Sequence, residues 1–291
     1  MNTNAMSDLR PSPISGFWYS ADPDQLTREL EAYLQKASLP SFEGQVVALV
    51  LPHAGLFYSG LTAAHALKAI VGQDYQRVII ISPSHQPYRG HVLTSQHDAY
   101  QTPFDLVPVD HASLEYLTGL LEKDGLQVNA IRRDREHAIE IELPFLQHLL
   151  PKGFRLIPLM LMDQSLSLAE MLSDALVKLI TSYPADEKTL LIASSDLSHF
   201  YQQDQANRLD QNLIEGLQNF EPKKFYQLKS SHKAEACGHG ALASVLLTAN
   251  KLGASQVTIA DYRTSGDVSG DLGSVVGYVS AIISTGVSDQ S

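Results

Sequence analysis

A single α/β domain, with a largely parallel central sheet covered by helices on both faces, is what the 291-residue sequence predicts. Three observations predict it. Continuous apolar runs rich in Val and Ile recur along the chain, too short for helices, and each stops at a Pro or Ser cluster. Stretches with helical periodicity alternate with them, the pattern of parallel strands joined by crossover helices. No Gly, Ser or Pro-rich linker divides the middle and no repeat of about 20 to 50 residues occurs, so one domain over residues 13–283 is expected.

The elements follow in order. Residues 1–12 are polar and run into Pro11 and Pro13, and residues 284–291 are small and polar, so both ends are expected to be flexible tails. A helix is expected over residues 22–36, with Asp22 as N-cap, Pro23 in the first turn, and Leu26, Leu30, Tyr33 and Leu34 at helical spacing. Strands are expected at 46–51, 77–81, 154–162, 189–193, 256–260 and 274–283. Helices are expected at 60–71, 112–123, 166–182, 205–217, 222–228 and 240–252, and at 136–150 with strain from Pro144. The Asp and Gly-rich stretch 264–273 reads as a loop between the last two strands.

Charge and cysteine content exclude whole classes of function. With 21 Lys and Arg against 32 Asp and Glu, the net charge is −11, and no basic block occurs; nucleic acid is not an expected partner, because phosphate binding needs a positive stripe. The only cysteine, Cys237, cannot form an internal disulfide, and no apolar segment follows a basic start, which predicts a cytoplasmic protein. No apolar run approaches the roughly 20 residues that cross a bilayer, so no membrane partner is expected.

In an open parallel sheet, ligands collect beyond the carboxyl ends of the strands, and the polar residues of this chain concentrate there. The run at 46–51 is followed by Pro52-His53-Ala54-Gly55, and the run at 77–81 by Ser82-Pro83-Ser84-His85. If these strands are neighbours, His53 and His85 face one crevice across a spacing of about 5 Å. Two imidazoles brought together in this way suit a divalent transition metal. The run at 189–193 leads into Ser194-Ser195-Asp196-Leu197-Ser198-His199, which delivers Asp196 and His199 to the same edge.

Two candidates compete for a third ligand. Cys237, in Glu235-Ala236-Cys237-Gly238-His239-Gly240, directly precedes an apolar helical stretch, where the helix dipole favours a thiolate. Asp196 would instead complete a two-histidine, one-carboxylate set, although it also fits a helix N-cap. In Glu136-His137-Ala138-Ile139-Glu140, His137 and Glu140 fall on one helical face, as an acid/base pair or a surface salt bridge. The absence of G-x-S-x-G, Walker, G-x-G-x-x-G and H-E-x-x-H patterns removes the chemistries tied to them.

These segments, together with Gly16-Phe17-Trp18-Tyr19, Tyr58, Gly60, Leu143-Pro144-Phe145 and Cys237-Gly238, resemble the Memo family in order and spacing, from about residue 16 to 283. The resemblance implies a fold like that of the class III extradiol dioxygenases, which are non-haem Fe(II) enzymes. It implies His53, His85 and Cys237 as metal ligands, with His137, Asp196 and His199 lining the same cavity as catalytic groups. The extradiol enzymes use two histidines and a glutamate, so a cysteine in third place departs from them. The resemblance further implies Fe(II), with Cu or Zn as other occupants, and association with the radical SAM and AMMECR-type proteins of the AmmeMemoRadiSam system. Two functions are expected from it: a redox or oxygenase-like enzyme acting on a small molecule, or a non-catalytic peptide-binding, signalling or metal-handling protein using the same crevice.

Overall fold

The computed structural model describes residues 8–150 and 152–286. In chain order the first elements are β1 (Leu9–Arg10), α1 (Pro23–Lys36), β2 (Val46–Leu51), α2 (Leu56–Leu67), β3 (Arg77–Pro83), β4 (Val92–Ser95), β5 (Ala99–Gln101) and β6 (Leu106–Pro108). Next come α3 (His111–Lys123), β7 (Val128–Ile131), α4 (Leu143–Leu149), β8 (Arg155–Leu161), α5 (Leu166–Thr181) and β9 (Thr189–Ser194). The chain continues through β10 (His199–Tyr201), α6 (Gln203–Gln218), α7 (Pro222–Ser230), α8 (His239–Lys251), β11 (Gln256–Thr264), α9 (Gly266–Ser269) and β12 (Val275–Ser284).

The centre of the main sheet is parallel, in the order β2, β9, β3, β8. These are the expected apolar runs, and burial on both faces is why they carry no polar alternation. Pro158 sits within β8 without disrupting it. Its carbonyl accepts a hydrogen bond from Thr94 Oγ1 on the β4 side, so its missing N–H falls on the same edge, where β4 pairs only with Met160 and Leu161. Antiparallel strands flank the centre, with β12 against β2 and β11 against β12. Helix α8 packs on β2, β3 and β9 and is backed by α5, whereas α2, backed by α1, packs on β2, β11 and β12. Asp22 caps α1 as expected, accepting from the Gln25 amide at 2.7 Å, and Ser165 caps α5. No helix among the described residues is long and apolar enough to cross a membrane.

Three expectations are corrected. Strand β9 lies between β2 and β3, so the strands leading to His53 and His85 are not neighbours. The helix expected over 136–150 begins late: residues 136–139 form a loop, Glu140–Glu142 a 3-10 turn, and only Leu143–Leu149 an α-helix. Pro144 falls in its first turn, where a missing N–H breaks no helical bond and imposes no strain.

The amino-terminal tail is the third correction. Residues 1–7 of the expected tail, and 287–291 at the other end, lie outside the described residues. From Asp8 onward the chain is built into the fold. Strand β1 pairs with β5, which pairs with β6 in a separate small sheet. Arg10, 1% exposed, directs Nε to both carboxylate oxygens of Asp134 at 3.0 Å, Nη2 to the Glu136 carbonyl at 2.6 Å, and Nη1 to Glu140. Glu140 also accepts from Ser12 and, at 2.8 Å, from the Tyr19 hydroxyl. A buried guanidinium with its donors spread over two carboxylates and a carbonyl ties residues 8–19 to the 134–140 loop. At the opposite end of the chain, Ser284 belongs to β12.

Candidate metal centre

The loops that leave β2, β3 and β9 converge at the carboxyl edge of the parallel strands. Two strand spacings, about 10 Å, separate β2 from β3. The rings of His53 and His85 nevertheless meet, with centroids 5.1 Å apart and planes at 87°, because both side chains turn inward over the end of β9.

Glu136 orients His85. Its Oε2 accepts from the His85 amide at 2.6 Å and its Oε1 from His85 Nδ1 at 2.9 Å, while the amides of His137 and Ala138 also donate to Oε1. Burial alone would raise the Glu136 carboxyl, but the hydrogen bonds and charge of His85, with the Ala138 amide, hold it at about 2. Burial disfavours the charged ring of His85 in turn, and contact with Glu136 outweighs it, so that ring is raised above its ordinary value. An anion held so low stabilises the fold above its ordinary value of 4.5, and the contribution is lost as pH falls toward 2. The urea midpoint of the wild type is therefore expected to fall across that interval more steeply than that of Glu136→Gln, and parallel profiles would remove this role.

His53 is 1% exposed. Its Nδ1 lies 2.9 Å from Ser194 Oγ and its Nε2 lies 3.1 Å from Cys237 Sγ. Burial, then the neighbouring His137 and His85, pushes its ring well below the ordinary histidine value. Cys237 precedes α8 by two residues, and its sulfur accepts from the Asp196 amide at 3.2 Å. The expected thiolate is not what the protein alone favours. Burial, then the charge of Asp196, raises this thiol above the ordinary range and outweighs the lowering contacts of the Asp196 amide and Ser195.

Asp196 caps no helix. Its Oδ1 accepts from the His53 amide at 2.8 Å, which locks the β9 loop to the β2 loop, and burial raises its carboxyl to about 7. His137 is in the loop before the 3-10 turn, so it shares no helical face with Glu140, which faces Arg10 instead, nor a helix with His148. Its ring stacks on His85 at 4.6 Å and meets Trp18 at 4.4 Å; burial is the main reason it is lowered to about 4. His199 opens β10 and faces the same cavity, whereas His239 points elsewhere, against Lys229 at 2.9 Å and Tyr226.

His53, His85, His137, Asp196 and His199 line a cavity of about 510 Å³. Its walls are aromatic, with Trp18 and Tyr278 inside and Tyr58, Phe17 and Phe57, the last two 88% and 63% exposed, toward the mouth. The donor atoms of His53, His85 and Cys237 all lie within 4.8 Å of one another. A metal held at about 2.0–2.3 Å from nitrogen and sulfur in tetrahedral geometry brings its donors to about 3.3–3.8 Å of one another, inside that bound, so small movements of the side chains would let the set hold one ion. His85, Glu136 and His137 form a second group of the same span. There, however, four hydrogen bonds already occupy the Glu136 oxygens. The carboxylate of Asp196 belongs to neither group.

Sequence reasoning missed Ser194 and Glu136 as the partners of the two imidazoles. A signal for Glu136 existed, since it immediately precedes His137 in a motif already singled out, but nothing local indicated that it would reach back to residue 85.

The profile of the family described as Memo-like protein matches residues 10–282. A MEMO1 family protein of Nitrosopumilus maritimus is 31% identical over 274 residues, covering 93% of this chain and 98% of that protein. One from Methanobrevibacter smithii is 33% identical over 284 residues, covering 94% and 99%. Among solved structures, the uncharacterized protein JW3007 from Escherichia coli K12 aligns with a TM-score of 0.57 over 82% of this chain and 100% of its own; at 17% identity this likeness concerns the fold.

Proposed function

The chain belongs to the Memo-like protein family, and from that premise we propose that it binds a transition metal through His53, His85 and Cys237 and carries out redox chemistry on a small molecule. One observation carries the reading. Three segments far apart in sequence bring two imidazole nitrogens and a thiol within 4.8 Å of one another, and both imidazoles line an aromatic-walled cavity. Imidazole and thiolate together suit Fe(II), Cu and Zn, and Fe(II) is the first choice for redox use. A bound Fe(II) would supply one-electron chemistry and a Lewis acid for a substrate oxygen. The protein's own residues do the rest. Asp196, His137 and His199 line the cavity and are placed to take or give protons, and Trp18 and Tyr278 shape the space around a planar or phenolic substrate.

The second reading is a non-catalytic peptide-binding or metal-handling protein, favoured by the exposed rings of Phe17 and Phe57 at the mouth. Metal analysis of protein purified without oxygen or chelator, followed by an oxygen-uptake screen, separates the two. Stoichiometric metal with turnover supports the enzyme; stoichiometric metal without turnover supports the binding protein.

Cys237→Ser tests the third donor. The cysteine sulfur loses its proton on binding a cation, whereas a serine hydroxyl does so poorly, so affinity is expected to fall by about 1.4–2.8 kcal/mol, tenfold to a hundredfold, with the largest loss for thiophilic ions. Full occupancy in Cys237→Ser with metal lost in Asp196→Ala would instead make the carboxylate the third donor.

A further inference from the structure

We propose that Ser194 is a positioning residue that fixes the tautomer of His53, with Glu142 behind it as a neutral hydrogen-bond donor. The inference concerns this chain's own hydrogen bonds and deepens the metal-binding reading on which its affinity test rests.

The argument is a count of protons. Ser194 Oγ lies 2.6 Å from the Ala138 carbonyl oxygen, 2.9 Å from His53 Nδ1 and 3.4 Å from Glu142 Oε1. A carbonyl has no proton to give, so the single hydroxyl proton of Ser194 is committed to Ala138. Toward His53 the hydroxyl can then only accept. His53 must carry its proton on Nδ1, which leaves the lone pair on Nε2, the atom 3.1 Å from Cys237 Sγ. The same hydroxyl thus holds the ring in place and selects the nitrogen that faces Cys237.

Glu142 completes the set. Its Oε1 faces a serine oxygen whose proton points elsewhere, and two bare oxygens repel. A carboxyl that keeps its proton can instead donate into the second lone pair of Ser194. Glu142 is buried, forms no salt bridge among the described residues, and is raised well above the ordinary carboxyl value by burial and by Asp196, which together outweigh the lowering contact of Ser194. His53, Ala138, Glu142 and Ser194 are all buried, where a polar atom left without a partner is costly.

The two imidazoles are therefore unequal. Nδ1 of His85 faces a carboxylate held ionised, and Nδ1 of His53 faces a neutral hydroxyl. The first is the more basic donor and the second the weaker one, an asymmetry set by residues outside the donor set.

The test reads the tautomer directly. In protein labelled with ¹⁵N histidine, with the His53 resonances assigned from His53→Gln, the wild type is expected to show the Nδ1–H form. Ser194→Ala should give a mixture or the Nε2–H form, and Ser194→Thr, which keeps the hydroxyl, should restore the wild-type signature. Zn(II), a redox-silent probe, should bind Ser194→Ala about 10 to 100-fold more weakly. Glu142→Gln keeps a neutral donor behind Ser194 and should change Zn(II) affinity by no more than about twofold. An Nε2–H ring in the wild type, or an unchanged tautomer in Ser194→Ala, would overturn the role of Ser194. A tenfold loss in Glu142→Gln would overturn that of Glu142. Failure of the wild type to bind any metal would sink the metal-binding reading while the tautomer measurement still decided this one.

Discussion

Alanine in place of His53 or of His85 is expected to weaken metal binding more than a hundredfold while leaving the folded chain intact. Chelation by three protein donors divides a binding free energy of about 10 kcal/mol roughly in three, and losing one share of about 3 kcal/mol is more than two factors of ten. The fold should survive for different reasons at the two sites. His53 is buried, so alanine leaves a cavity, but Asp196 still accepts from the amide of residue 53 because that contact is with backbone. At His85 the side chain is part-exposed, and Glu136 keeps the amides of residues 85, 137 and 138. His137→Ala and His148→Ala are the controls. The first removes a ring stacked on His85 without removing a donor of the proposed set, and the second removes a histidine of α4 that lines no part of the cavity. Metal-to-protein ratios by mass spectrometry, with circular dichroism as the check on folding, measure all four. Equal metal in every variant would make the histidine pair structural.

The strands that build this edge were legible because continuous Val and Ile runs too short to cross a bilayer have few other uses, and β2 was read to the residue. The convergence of His53 and His85 was legible too, although for a partly mistaken reason. Each histidine follows its strand by two residues, but the insertion of β9 between the strands is set by contacts between residues over a hundred positions apart, which no local pattern records. The helix expected at 136 failed in an instructive way. Ile139, Leu143 and Leu146 are all buried, so the apolar spacing was real, yet the amides of residues 137 and 138 bond the Glu136 side chain in place of a helical turn. Polar composition misled at the start of the chain. Arg10 looks like a solvated tail residue in sequence, and only its partners, more than 120 positions away, show why it is buried.

Those partners make Arg10→Met the substitution with the largest expected effect on stability, roughly 3–5 kcal/mol. Methionine fills much of the space but removes the cation that neutralises Asp134 and Glu140, both buried among groups that supply no other positive charge within the described ion pairs. The cost is the penalty of uncompensated buried anions rather than the worth of a salt bridge. It follows that neutralising the anions as well should restore most of the loss: Arg10→Met with Asp134→Asn and Glu140→Gln is expected to recover at least half of it, because each amide keeps a hydrogen-bonding group without the charge. Urea unfolding measures both, and a loss below about 1 kcal/mol for the single variant would mean that the network is not closed in solution. The effect should also reach the cavity. Arg10 holds the Glu136 carbonyl at 2.6 Å, Glu136 holds His85, and Trp18 of the same clasped segment lies against His137. Releasing the segment should therefore lower metal affinity in Arg10→Met even where the protein remains folded, and the triple variant should recover affinity along with stability, since both depend on one contact between the amino-terminal strand and the loop it closes.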